Sequence, residues 1–298
     1  MKAAPFAYVR PSTVDDVLAE LGRDDAKVLA GGQSLVPVLA MRLARPATLV
    51  DINAVAGLDR LERGSDALHV GATVRQRRLH HDPASVEVPL LRLALPWVGH
   101  RELRSRGTVC GSLAHADPAA ELPAVARCLD ATLTVTGPQG ERTVPASEFF
   151  TAAMTTVVQP DELLVSAAFP LAGPHEGFGF GEVARRHGDF ALAGVAVRVR
   201  AGDPQQPDAR VVCFGVADGP VVRDVGAMLA DAVAVVGSAA TEQELSSALA
   251  GAAADLATDV VDTAGDAHGS PGYRRRLVAG LAARELARAY RRATGADI

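Results

Sequence analysis

Apolar residues in this chain come in short runs punctuated by glycine, proline and small polar residues, the texture of short strands and helices in mixed order. Phe6 to Pro11 alternates enough for a short strand. Ser12-Thr13-Val14-Asp15-Asp16 then reads as an N-cap with acids in the first helical turn, and the helix runs to about Leu21 before stopping at Gly22. Val28 to Ala30 is a strand, Val36 to Leu43 is helical with Pro37 tolerated in its first turn, and Leu49 to Ile52 is a buried strand. Residues 1–55 therefore form a small β-α-β-α-β unit.

The texture changes at Leu58. Leu68 to Ala72 looks like a strand, followed by Thr73 as a cap and a helix through Arg78-Leu79; Pro89 to Val98 is apolar and helical, interrupted by Pro96. Leu122 to Leu129 is a short helix. Ala131 to Thr136 alternates as a strand, Gly137-Pro138-Gln139-Gly140 turns, and Arg142-Thr143-Val144 returns as the hairpin partner. Leu163 to Phe169 is a further strand closing at Pro170. Leu171 to Gly177 has the composition of a linker, which places a domain boundary there. Beyond it lie strands at Phe178 to Val183, Ala193 to Val199 and Val211 to Val216, with a hairpin loop at Ala201 to Asp208. Alanine-rich helices end the chain. In the last, Arg274 to Arg292, Leu277, Leu281 and Leu286 form a core stripe while arginines crowd the other faces.

The 298 residues suffice for about two domains with sizeable cores. At 48% hydrophobic and 22% charged, the chain has a soluble, globular composition. Its net charge of -5 offers no broad basic face for nucleic acid. The start, Met1 to Tyr8, lacks the apolar core of a signal peptide, and no apolar run approaches a membrane span, so the expected location is the cytoplasm. Cys110, Cys128 and Cys213 are scattered; a plant-type two-iron cluster needs four thiolates, so this chain holds none by itself. His80-His81 does not make a metal site, because adjacent residues do not share a helix face. No metal ligand and no catalytic acid–base pair is expected.

Candidate chemistry centres on two glycine-bearing stretches. In Val28-Leu29-Ala30-Gly31-Gly32-Gln33-Ser34-Leu35, a strand breaks at two glycines, which permit positive φ and leave the backbone open to an incoming group. Successive N–H groups there can form a nest for phosphate oxygens, with Ser34 adding a hydroxyl and Gln33 an amide. An ordinary strand-to-helix turn explains the same residues. The second stretch, Arg106 to Pro123, again sets glycine among hydroxyls, at Thr108, Gly111 and Ser112, with Asp117 and Glu121 following. Two such stretches suggest a ligand with two phosphates held between them.

Together they resemble the FAD-binding (medium) subunit of the molybdenum hydroxylases, the family of carbon monoxide dehydrogenase and xanthine dehydrogenase. Arg45-Pro46-Ala47-Thr48-Leu49-Val50-Asp51-Ile52, Glu162 to Ser166 and Arg185 to Ala191 follow in that family's order, so the resemblance spans nearly the whole chain. It implies an α+β fold with an α/β-like N-terminal subdomain: a two-subdomain FAD-binding fold of the vanillyl-alcohol-oxidase/PCMH type in residues 1–55 and 56–172, then a C-terminal α+β domain in 177–292 with a small antiparallel sheet and helices. It further implies FAD contacts from Val28, Leu29, Ala30, Gly31, Gly32, Gln33, Ser34 and Leu35, and from Thr108, Val109, Cys110, Gly111 and Ser112. Glu121 matches a carboxylate that binds polyol or ribose hydroxyls, although it also suits the first turn of a helix. Asp117 joins that set, and an Asp-Pro pair is equally a turn. Leu164 matches a position near the flavin ring and otherwise reads as a core strand residue. Phe190 matches one beside the isoalloxazine and otherwise reads as a core aromatic.

Two departures from the family pattern stand out. Cys110 replaces the first glycine of a pair, and Gly181 takes a position where some relatives carry a lysine that contacts the flavin. By resemblance the chain is an electron-transfer subunit, passing electrons from two-iron clusters to an external acceptor. Its partners would be a molybdopterin-binding large subunit and a 2Fe-2S small subunit, in a dimer of heterotrimers. The alternative is a stand-alone FAD-dependent oxidoreductase of the same fold.

Overall fold

A computed structural model describes residues 2–202 and 207–296 and divides into two compact units. The first comprises residues 1–85, 100–116 and 131–170; the second comprises 86–99, 117–130 and 171–298.

The first unit opens with β1 (Ala7–Val9), α1 (Val14–Leu21), β2 (Ala26–Leu29), α2 (Leu35–Ala40) and β3 (Thr48–Asp51). These make the expected β-α-β-α-β unit, a parallel sheet in the order β1-β3-β2. Thr13 caps α1 by accepting from the Asp16 N–H, and Gly22 ends it. The second helix stops three residues before the expected Leu43, because Arg42 turns to a φ of +60°.

The same unit continues with β4 (Leu61–Arg63), β5 (Ala67–Gly71) and α3 (Gln76–His81). Thr73 is not the cap expected from sequence. Ala72 and Thr73 lie in a turn, and Arg75, with extended backbone, forms a bridge with Thr108. From residue 86 the chain passes into the second unit.

That stretch carries α4 (Pro89–Ala94), shorter than expected. The chain then runs through α5 (Arg101–Arg106) and α6 (Val109–His115) of the first unit, and α7 (Glu121–Cys128) of the second. The next elements, β6 (Thr132–Gly137), β7 (Gly140–Pro145), α8 (Ala146–Phe149), β8 (Phe150–Ala152), β9 (Thr155–Thr156) and β10 (Leu163–Pro170), return to the first unit. Its larger sheet is antiparallel, ordered β4-β5-β10-β6-β7, and β6 with β7 is the expected hairpin.

The second unit is completed by β11 (Glu176–Ala184), β12 (Ala191–Arg200), β13 (Asp208–Phe214), β14 (Val221–Asp224), α9 (Gly226–Val236), α10 (Glu242–Val260) and α11 (Pro271–Ala293). The four strands form an antiparallel meander. The expected hairpin loop at 201–208 includes residues 203–206, which lie outside the described residues. Side chains alternate across a sheet, and β11 shows why that matters. Gly177 and Gly179 face α11 so closely that a Cβ would lie 1.9 Å from the Ala289 oxygen and 2.4 Å from the Glu285 oxygen. Glycine at these positions lets helix and strand meet backbone to backbone. The opposite face carries Phe178, Phe180 and Glu182, with Arg198 opposite Phe178 in register. Arg198 pairs at 3.3 Å with Asp130, just past α7.

In α11 the leucine stripe is as expected, but one arginine breaks the pattern. Arg274 is buried, donates to the Leu192 and Gly215 carbonyls at 2.6 Å each, and pairs with Asp266 at 2.7 Å. Its charge is tolerated because every contact is a hydrogen bond to an oxygen. No helix among the described residues is long and apolar enough to cross a membrane.

Candidate functional site

The two glycine-bearing stretches meet in the first unit. A Cβ at Gly31 would sit 2.4 Å from the Arg106 carbonyl oxygen and 2.8 Å from the Gly107 Cα, and one at Gly111 would lie 3.6 Å from the Ala30 Cβ. The sequence assigns the glycines to an incoming ligand; at Gly31 the space is taken by the other stretch instead. Gly32 has a φ of +73°, which turns the chain out of β2 into α2.

The two stretches use their backbone donors differently. Among the described residues, the N–H groups of Gly31, Gly32, Gln33 and Ser34 donate to no acceptor. Gln33 does not present a free amide, because its Nε2 donates back to the Gly31 oxygen at 3.1 Å. The second stretch is helical from Val109. Thr108 is its N-cap and accepts from the Gly111 N–H at 3.0 Å, while Val109 donates to Val74 and Ser112 to Thr108. Of these four consecutive N–H groups only that of Cys110 is unspent among the described residues. The Cys110 thiol points away, donating to the Val70 oxygen at 3.4 Å from within the core, so it leaves that backbone open. Burial pushes this thiol up to about 12, which makes it a small inert hydrophobe.

Three residues that sequence reasoning missed hold the stretches together. Asn53 donates from Nδ2 to the Ala30 oxygen at 2.8 Å and accepts at Oδ1 from Arg75 Nη2 at 2.6 Å. Arg75 donates its other terminal nitrogen to the Arg106 oxygen. One amide and one guanidinium thus link a carbonyl of each stretch. Gln76 adds a bond from its own N–H to the Gly107 oxygen at 2.9 Å. Asp51 anchors Asn53 and accepts from the Tyr8 hydroxyl. Burial alone raises the Asp51 carboxyl, but the bonds from Tyr8 and Asn53 outweigh it and hold the group below the usual range. No local pattern connects positions 53 or 75 to a glycine turn; the nearest signal is Asn53 directly after the strand ending Asp51-Ile52.

The other expected residues have mixed placements. Leu164 is buried in β10, beside a bulge between Leu164 and Ser166. Asp117 spends Oδ1 on the Ala119 N–H at 2.8 Å, a local turn. Glu121, the first residue of α7, is buried at 7% exposure. Phe190 is 71% exposed, which removes the core-aromatic reading. Gly181 faces α11, where a Cβ would lie 3.0 Å from Glu285 Oε1 and 3.1 Å from Arg284 Nη2.

A diphosphate needs several converging donors and little steric cover. Four unspent N–H groups on a half-buried turn, a fifth from Cys110, and the hydroxyls of Ser34 and Ser112 supply donors of the kind a diphosphate takes, so the chemistry of these residues fits FAD.

Comparison with known proteins agrees. A family model described as "FAD binding domain in molybdopterin dehydrogenase" matches residues 4–172, and one described as "CO dehydrogenase flavoprotein C-terminal domain" matches residues 179–289. The chain is 37% identical to the 6-hydroxypseudooxynicotine dehydrogenase complex subunit alpha of Paenarthrobacter nicotinovorans, over 98% of this chain and 97% of that one. It is 36% identical to the nicotine 6-hydroxylase medium subunit of the same organism, over 97% and 99%. Among solved structures, reconstituted CO dehydrogenase from Oligotropha carboxidovorans superposes with a TM-score of 0.86 at 28% identity, covering 98% of this chain and 100% of that one. With its two glycine stretches joined and its length matched end to end, the chain belongs to the family of FAD-binding domains in molybdopterin dehydrogenases, and FAD is its cofactor.

Proposed function

We propose that this chain is the FAD-carrying electron-transfer subunit of a heteromeric molybdenum-containing hydroxylase. It works in the cytoplasm with a molybdopterin-binding large subunit and a 2Fe-2S small subunit, as a dimer of heterotrimers. The observation that carries this reading is the match over nearly the full length of relatives that are themselves named as subunits of dehydrogenase and hydroxylase complexes. The scattered, buried cysteines agree, since any iron–sulfur relay then lies in another chain.

Residues 1–55 and 56–172 would bind the cofactor as two subdomains, with 177–292 as the C-terminal domain. The N–H groups of Gly31 to Ser34 and of Cys110, with the Ser34 and Ser112 hydroxyls, hold the pyrophosphate. Val28, Leu29, Ala30 and Leu35 support that turn, and Thr108, Val109 and Gly111 support its counterpart. Leu164 packs near the flavin ring and Phe190 covers part of it. Asp117 and Glu121 accept from cofactor hydroxyls. When bound, FAD supplies the redox chemistry, taking up and releasing electrons one or two at a time. The chain's own residues fix its position and exclude water.

Affinity capture of the chain from gently lysed cells tests this. A yellow complex is expected, bleached by dithionite and restored in air, that contains a larger molybdopterin chain and a cysteine-rich small chain. A colourless chain captured alone would contradict the proposal, as would turnover of a small molecule by the isolated chain.

A further inference from the structure

Charge does not balance beside the glycine turn of the first unit. Arg75 donates to the Arg106 carbonyl oxygen and, at 2.6 Å, to Asn53 Oδ1, and both acceptors are neutral. These bonds use one N–H at each terminal nitrogen. A guanidinium carries more donors than that, so among the described residues the Nε–H and a second N–H at each end of Arg75 are unspent. The side chain is half-buried, and its Nε is not sealed in the core. Arg106 is exposed, and its charge acts on Arg75. Among the described residues neither arginine forms an ion pair. Asp51 is the one carboxylate that acts on Arg75 electrostatically, and it is already engaged with the Tyr8 hydroxyl, with Asn53 and, at 3.8 Å, with Arg10. All these residues and the turn belong to the first unit.

Like charges held near each other repel, and the repulsion is relieved when an anion settles beside them. Burial, then the charge of Arg106, holds Arg75 below the ordinary arginine range, with Asp51 alone acting the other way; the guanidinium still keeps its proton at neutral pH. Bracing accounts for the two hydrogen bonds of Arg75 but not for its charge, since a neutral donor would serve a carbonyl and an amide. The last turn of α5 suits a cation, which accounts for Arg106 alone. The position of the pair is the second observation. The Arg106 carbonyl that accepts from Arg75 lies against Gly31, and Asn53, the other acceptor, donates to the Ala30 oxygen. The guanidinium is thus one hydrogen bond behind a turn whose four N–H groups are unspent among the described residues.

We propose that Arg75, with Arg106 beside it, is a specificity residue of the cofactor site: the paired guanidiniums favour a flavin that carries a diphosphate over one that carries no phosphate. Backbone N–H groups give directed bonds with only partial positive charge. The arginines add the full charge, and Arg75 adds spare donors of the kind phosphate oxygens take. This inference rests on the reading that residues 31–34 hold the pyrophosphate, and adds two side chains to a site otherwise made of backbone and hydroxyls.

The test is fluorescence titration of the full chain, freed of flavin, with FAD and with riboflavin at about 0.05 and 0.5 M salt. The variants are Arg75→Lys, Arg75→Gln and Arg106→Gln. The wild type should prefer FAD, and the preference should weaken at high salt as the charges are screened. Arg75→Gln should cut the preference about tenfold and flatten its salt dependence, whereas Arg75→Lys should keep most of both. Arg106→Gln leaves the carbonyl of the brace in place. It should cut the preference about threefold, while the melting temperature of the flavin-free chain stays level or rises because a repulsion is gone. If Arg75→Gln and Arg75→Lys weaken FAD and riboflavin alike and keep the wild-type salt dependence, Arg75 is a brace only and the proposal is wrong. Should Arg75→Gln not fold, Arg106→Gln decides: an unchanged preference with unchanged salt dependence overturns it. A wild type whose preference for FAD is absent, or does not change with salt, has no phosphate site at the turn, and the reading beneath the proposal fails with it.

Discussion

The two glycine-bearing stretches look alike in sequence and do opposite work. Residues 31–34 leave four successive N–H groups without acceptors, whereas residues 108–112 spend most of theirs on a helix cap and on Val74. In the function proposed above, the first is the donor and the second is its brace. Small residues next to hydroxyls therefore do not define a phosphate site alone; what decides is whether the backbone donors remain available after the chain has folded.

The sharpest way to break this division of labour is Gly31→Ala. The added methyl would press on backbone atoms of Arg106 and Gly107, which cannot rotate away as a side chain would. Overpacking of this kind costs about 1–3 kcal/mol, and the expected loss of FAD affinity is up to roughly a hundredfold. Fluorescence titration measures it. Asn53→Ala comes next, since it leaves the Ala30 carbonyl without its donor and Arg75 without its acceptor. An orphaned polar group costs about 1–3 kcal/mol, so affinity should drop around tenfold while the helical content by circular dichroism stays the same.

Thr108→Ala strikes the brace rather than the donor. Loss of the cap costs ~1 kcal/mol and should lower the melting temperature by about 2–4 °C. FAD affinity should change less than in Asn53→Ala, because the freed Gly111 N–H becomes one more donor. A larger effect on affinity than on melting would reverse the roles assigned to the two stretches. The smallest effect belongs to acid. The Asp51 carboxyl, held below its usual range, stabilises the fold above the ordinary carboxylate pKa and loses that contribution as pH falls through its folded value. Melting temperature between about pH 5 and 3 should therefore fall less steeply in Asp51→Asn than in the wild type.

Most of the first unit's order was legible because local rules governed it. Thr13 with Asp15 and Asp16 marked a helix start, Gly22 its end, and Gly137 to Gly140 a hairpin. The errors fell where tertiary contacts overrode local preference. Thr73 had the chemistry of a cap, but Arg75 is drawn into a bridge with Thr108 and delays the helix to Gln76. Residues 109–115 carry no helix signal in the sequence, since glycine and serine disfavour helix; the Thr108 cap and the burial of Val109, Cys110 and Leu113 outweigh that. Asn53 and Arg75 were invisible for a different reason. Each acts through partners far away in the chain, and a sequence shows spacing along the chain, not proximity across it.

The account depends on where the cofactor's phosphates lie. A crystal structure of the FAD-loaded chain should put pyrophosphate oxygens within about 3 Å of the backbone nitrogens of residues 31–34. A pyrophosphate held elsewhere, with those four N–H groups turned to water, would contradict it.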